Sequence, residues 1–178
     1  MPKQLNKLFS VSLATLAAAV ALVSFVPGCG EEAMDDGCFD YASFKSDSRT
    51  VSFQTDVLPV FRNSCGLSAA CHGSESGPAG QSYLGPPSID GMATQAQIDA
   101  IFTQNVGVNS TKAATMKIVD PGSPETSFLM HKMDNTLKCA DVKCEAGCGG
   151  SMPLANPILG DKDRETVRLW IAQGAKKD

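Results

Sequence analysis

The stretch Cys65-Gly-Leu-Ser-Ala-Ala-Cys71-His72 constrains this chain more than any other. A Cys followed directly by His, with a second Cys upstream, is the attachment signature of a covalently held haem. The thiols add to the vinyl groups, and the adjacent His reaches the iron as proximal ligand. A fold built around so large and flat a cofactor closes a core with few aromatics of its own. Here only 6% of 178 residues are aromatic, and Trp170 is the single tryptophan. His72 is one of two histidines and alone follows a Cys, so it is the candidate iron ligand on one face.

Two residues usually separate the cysteines of this signature; here there are five. Three arrangements stay open. The extra residues are about one further tight turn, which can bulge outward and leave both sulfurs in register. Alternatively Ser68 takes the upstream thiol position, since Ser68-Ala-Ala-Cys71-His72 has the standard spacing, and haem hangs on Cys71 alone. In the third arrangement Cys65 and Cys71 form a disulfide and hold no haem.

The opposite face of the iron needs its own ligand, and Met152 in Ser-Met-Pro-Leu is the best candidate. Its thioether is a soft ligand, and a Met/His pair raises the reduction potential relative to two histidines. Pro153 restricts the chain beside it. His131 reads as a surface or capping residue on a short helix. Met92, Met116, Met130 and Met133 read as core fillers.

Residues 1–28 read as a targeting segment. Lys3 and Lys7 form a positive n-region, and residues 8–26 are apolar and Ala-rich. Val26-Pro27-Gly28-Cys29 resembles the lipobox of bacterial lipoproteins, which makes Cys29 the expected lipidation site. The other reading is an ordinary secretory signal with Cys29 as one more disulfide partner. Residues 29–50, acidic and then Ser-rich, read as a flexible tether, and the domain proper spans 51–178. Of seven cysteines, Cys29 for lipid leaves six in a compartment that permits disulfides. With Cys65 and Cys71 set aside for haem, Cys38, Cys139, Cys144 and Cys148 remain, with three possible pairings. Zinc is disfavoured against disulfides there, since paired Cys-x-x-Cys knuckles are missing.

A net charge of −4 with no basic cluster gives no footprint for nucleic acid. Two histidines, and no Ser-His-Asp or paired carboxylates at a telling spacing, argue against an enzyme. Helical spacing appears at Val57, Val60 and Phe61 (with Thr55 as cap), at Ile98, Ile101 and Phe102, and around Phe128 and Met133. It is clearest at Val167, Trp170, Ile171 and Gly174, behind a cap at Asp161 or Asp163. The expected fold class is therefore all-α, with short helices and long loops.

Cys-…-Cys-His-Gly after an apolar helix, then Val-Asp-Pro-Gly-Ser-Pro-Glu-Thr-Ser-Phe-Leu, Met-Pro and Trp-Ile-Ala-Gln-Gly-Ala, resemble small class I cytochrome c domains. The likeness is greatest to extracytoplasmic cytochrome c-like lipoproteins of myxobacteria and planctomycetes, and it covers about 51–175. The resemblance implies one haem c, attached at Cys71 with or without Cys65, and with His72 and Met152 as axial ligands. It also implies that helices at 55–64 and 163–174 cross beside the haem. The expected function is one-electron transfer outside the cytoplasm with a redox partner protein, from a lipid anchor on the periplasmic or outer face of a bacterial membrane. The alternative is a haem-free, disulfide-stapled lipoprotein that keeps a cytochrome-like scaffold.

Overall fold

A computed structural model describes residues 38–77, 82–139 and 142–178. The expected signal segment, Cys29 and the first part of the tether lie outside the described residues. The domain is mostly α-helical, with isolated β-bridges and no extended strand among the described residues. No described helix is long and apolar enough to cross a membrane.

The chain enters the first helical segment at Ser52, whose side chain accepts from the Thr55 amide while Asp56 accepts from the Ser52 amide. Thr55, expected as the cap, sits inside this segment instead. Two overlapping polar residues compete for the cap, and the earlier one wins by burying Phe53 and Val57 together. A π-helical turn, Phe53–Val57, runs directly into α1, Leu58–Ser64. Pro59 falls in the first turn of α1, where a missing N–H costs nothing.

α2, Gln95–Asn105, is fixed at its start by a reciprocal capping box between Thr94 and Gln97. α3, Phe128–Met133, follows a 3₁₀ turn at Pro124–Thr126. α4, Asp161–Ala172, is capped by Gly160, not by Asp161 or Asp163. Those two aspartates lie in the first turn, where the positive end of the helix dipole favours them. α4 stops before Gly174: that residue takes φ +97°, its amide bonds to the Ile171 carbonyl, and Ala175 bonds back to Trp170. This closing pattern needs a residue without a Cβ penalty.

The core gathers where the two ends of the domain meet. Trp170 is 1% exposed, with ring centroids of Phe53, Phe61 and Phe102 at 5.4, 6.1 and 6.0 Å. Edge-on and tilted packing of this kind adds to the area it buries. The chain ends are stitched by polar bonds as well: Gln173 accepts from the Val51 amide, and Asp178 accepts from the Phe53 amide.

Residues 38–50 lie against this body. Cys38 is bridged to Cys139, and Cys144 to Cys148, which selects one of the three pairings open in the sequence. Tyr41 donates to Asp134 at 2.8 Å, and Asp134, its side chain fully buried, also receives Arg164 at 3.0 Å and Arg168 at 2.7 Å. The Arg168 guanidinium stacks 3.6 Å from the Phe39 ring centroid.

Two expectations for individual residues are corrected. His131 is 2% exposed rather than at the surface, with Nδ1 2.7 Å from Thr136 Oγ1 and Nε2 donating to a backbone carbonyl. Its Nε2 lies 3.0 Å from the Glu125 carbonyl, so both ring nitrogens are engaged inside the protein. Met92 is 92% exposed, while Met130 and Met133 fill the core as expected. Apolar type alone did not say which loop would stay outside.

Candidate functional site

Cys65 caps the C-terminus of α1, its amide bonded to the Phe61 carbonyl at 2.8 Å. From there the chain closes on itself. The Cys71 and Gly73 amides both bond to the Ser68 carbonyl at 3.0 Å, and the His72 amide returns to the Cys65 carbonyl at 3.1 Å. The five residues between the cysteines thus form a folded loop that brings His72 back beside Cys65. Glycine is required at both ends by close approach. A Cβ on Gly66 would lie 2.5 Å from the Gly85 carbonyl oxygen, and one on Gly73 would lie 2.7 Å from that of Gly66.

The two thiols of this loop are unbridged, whereas all four other described cysteines are paired. They are not equivalent. Cys65 is 8% exposed, and burial, with the charge of Cys71 as a lesser cause, pushes its thiol up to about 12. Cys71 is only half-buried, with Ser68 Oγ 3.6 Å from its sulfur.

His72 is half-buried, and its ring is oriented from behind. Nδ1 lies 2.7 Å from the Ser82 carbonyl oxygen. A carbonyl only accepts, so Nδ1 carries the proton and Nε2 of the neutral ring keeps its lone pair. Nε2 makes no hydrogen bond to a described residue. The Ser82 carbonyl is itself positioned by α2: Gln104 accepts from the Tyr83 amide at 3.1 Å, and buried Asn105 donates to the Tyr83 carbonyl at 2.8 Å. Leu84 closes the set by donating to the His72 carbonyl at 2.9 Å.

Met152 stands on a separate loop, half-buried. Its amide donates to the Lys132 carbonyl at 2.8 Å, which ties the loop to the end of α3. Lys132 Nζ also donates to the Cys148 carbonyl at 2.9 Å and to the Gly150 carbonyl. Burial, with Lys112 as a lesser cause, lowers the Lys132 pKa. No hydrogen bond joins Met152 to the 65–72 loop among the described residues. The structure therefore brings Cys65, Cys71 and His72 together and leaves Met152 on its own support.

The donor chemistry fits a covalently held haem at Cys71 and His72. An imidazole with Nδ1–H bonded to a backbone carbonyl and Nε2 open is the arrangement that orients a metal-ligating histidine. An accessible free thiol precedes it directly. Two surface clefts of about 270 Å³ each are bordered by other residues, one by Phe39, Phe44 and Arg168, the other by Leu58, Arg62 and Met92.

Sequence reasoning missed the Ser82 carbonyl, Lys132 and the Asp134 cluster. The first is a backbone atom ten residues from His72, which no residue type announces. Arg164 and Arg168 share a helix face at i, i+4, a readable signal, but their carboxylate partner lies 30 and 34 residues away. Comparison with protein families, curated proteins and solved structures finds no match to this chain.

Proposed function

We propose that this chain is a mono-haem c-type cytochrome domain that carries single electrons outside the cytoplasm, held to a membrane by lipid at Cys29. The observation that carries the reading is His72, with Nδ1 protonated against the Ser82 carbonyl and Nε2 open, directly after a free thiol. When bound, the haem supplies a one-electron iron couple. Cys71 is the attachment thiol and Cys65 the second thiol of the signature. His72 offers Nε2 and Met152 its thioether. The Ser82 carbonyl holds the His72 ring in one tautomer and one orientation, which also makes the free nitrogen a better donor. Electron exchange with a redox partner needs no general acid or base, so the domain is a carrier rather than an enzyme.

One observation favours a second reading, a haem-free disulfide-stapled lipoprotein. Phe53, Phe61, Phe102 and Trp170 fill the core against one another without a cofactor. In that case Cys65 and Cys71 end as a disulfide. The two readings separate when the mature chain is exported from cells that make c-type haem and its Cys71→Ser and Met152→Ala variants are compared with it. The cytochrome reading expects covalent haem that Cys71→Ser removes and a low-spin spectrum that Met152→Ala abolishes. A colourless wild type with a Cys65–Cys71 bridge refutes it.

A further inference from the structure

Lys132 touches the Met152 loop at three alternate points. Its carbonyl accepts from the Met152 amide, and its ammonium donates to the Cys148 and Gly150 carbonyls. Nothing else described in that loop is regular structure: Gly147 and Gly149 have φ of +80° and +71°, and the short Cys144–Cys148 bridge closes only its first part. With Gly149 in the left-handed region, the carbonyls on either side of it both turn to the ammonium. A Cβ on Gly149 would sit 3.4 Å from Lys132 Nζ.

The base of this clamp is firm. The neighbours of Lys132 on α3, His131 and Met133, are 2% and 1% exposed, and both nitrogens of His131 are bonded. No carboxylate forms an ion pair with Lys132 among the described residues. Its ammonium lies 5.8 Å from the Phe128 ring centroid on α3, and both of its hydrogen bonds go to backbone carbonyls of one loop.

We propose that Lys132 is a positioning residue for Met152, holding the thioether loop where it can serve the iron; this rests on the haem ligation proposed above. Charged hydrogen bonds of this kind are worth enough to shift a loop-opening equilibrium roughly tenfold or more. Lys132→Met keeps the aliphatic stem and removes the donors; Lys132→Arg keeps donors and charge.

Two readouts on the full mature chain decide it. In the haem-loaded protein, imidazole competes with Met152 for the iron, so loosening the loop in Lys132→Met should tighten imidazole binding roughly tenfold. Lys132→Arg should restore most of the wild-type affinity. In a Met152→Ala background, Lys132→Met should change nothing further, since it acts through Met152. The second readout needs no haem: amide exchange at Met152 should quicken roughly tenfold in Lys132→Met while exchange in α4 stays as it was. Imidazole affinity within twofold of wild type, or exchange that rises equally in α4, overturns the proposal. If the wild type carries no covalent haem, the ligation reading fails by itself, and the exchange measurement alone judges whether Lys132 holds this loop.

Discussion

The two thiols of the 65–72 loop should differ sharply in reactivity when the chain is made without haem. Only a thiolate attacks an alkylating reagent. A thiol at the ordinary value of 9.0 is about one-tenth ionised at pH 8, whereas Cys65, pushed up to about 12, is ionised to about 10⁻⁴. Titration alone thus slows Cys65 on the order of a thousandfold against an ordinary thiol, and its 8% exposure hinders the reagent further. Cys71 is half-buried and faces the hydroxyl of Ser68, so it remains open to attack. The assay is a time course of iodoacetamide labelling at pH 8 under native conditions, read by peptide mass after quenching. Cys71 should be labelled in minutes while Cys65 stays unmodified until denaturant is added. Equal rates at the two positions, or a bridge between them that consumes both, would refute the asymmetry. The outcome bears on attachment too, because a buried and seldom ionised thiol reacts with haem far more readily before folding is complete.

Other consequences follow from the same geometry. Asp134→Asn leaves Arg168, whose side chain is 5% exposed, without its buried partner, and should cost about 3–5 kcal/mol in urea unfolding. A loss below about 1 kcal/mol would mean that the buried cluster is not coupled as drawn. Lys177→Ala, which removes an exposed pair with Asp99, should leave the unfolding midpoint close to wild type in the same assay. Gly73→Ala should lower the melting temperature and cut the yield of covalent haem, because its Cβ meets backbone oxygens at 2.7 and 2.8 Å; wild-type yield and melting would contradict the closed loop. Alkaline pH adds a further check. Cys65 holds its proton more tightly when folded, so its stabilising contribution is complete below pH 9 and is lost as pH rises towards 12. Wild type should therefore lose more stability than Cys65→Ala between pH 8 and pH 11. Parallel curves would show that Cys65 is not buried in solution.

The helices were readable where local rules decide them. Ile98 and Ile101 mark the inner face of α2, and Val167, Trp170 and Ile171 that of α4. The spacing puts Gly174 on that face, yet its work is to end the helix, because a residue with no Cβ suits both roles in a pattern. What stayed hidden depends on contacts distant in sequence. His131 is buried because Tyr41 packs edge-on to it, 5.3 Å between ring centroids, after Cys38 fastens that segment to Cys139. The disulfide pairing is of the same kind. At the candidate site, Cys71, His72 and Met152 were legible as residue types, whereas their supports are backbone carbonyls at Ser82 and Lys132. Side-chain chemistry can be read from a sequence, but the carbonyl that fixes a tautomer cannot.

The most direct measurement is the intact mass of the mature chain, denatured, after export from cells that attach haem to cysteine. A cytochrome domain should show a mass increased by one haem, mapped by peptide digestion to Cys71, with His72→Ala losing the low-spin spectrum. A mass showing only lipid and three disulfides, the third joining Cys65 to Cys71, contradicts that reading.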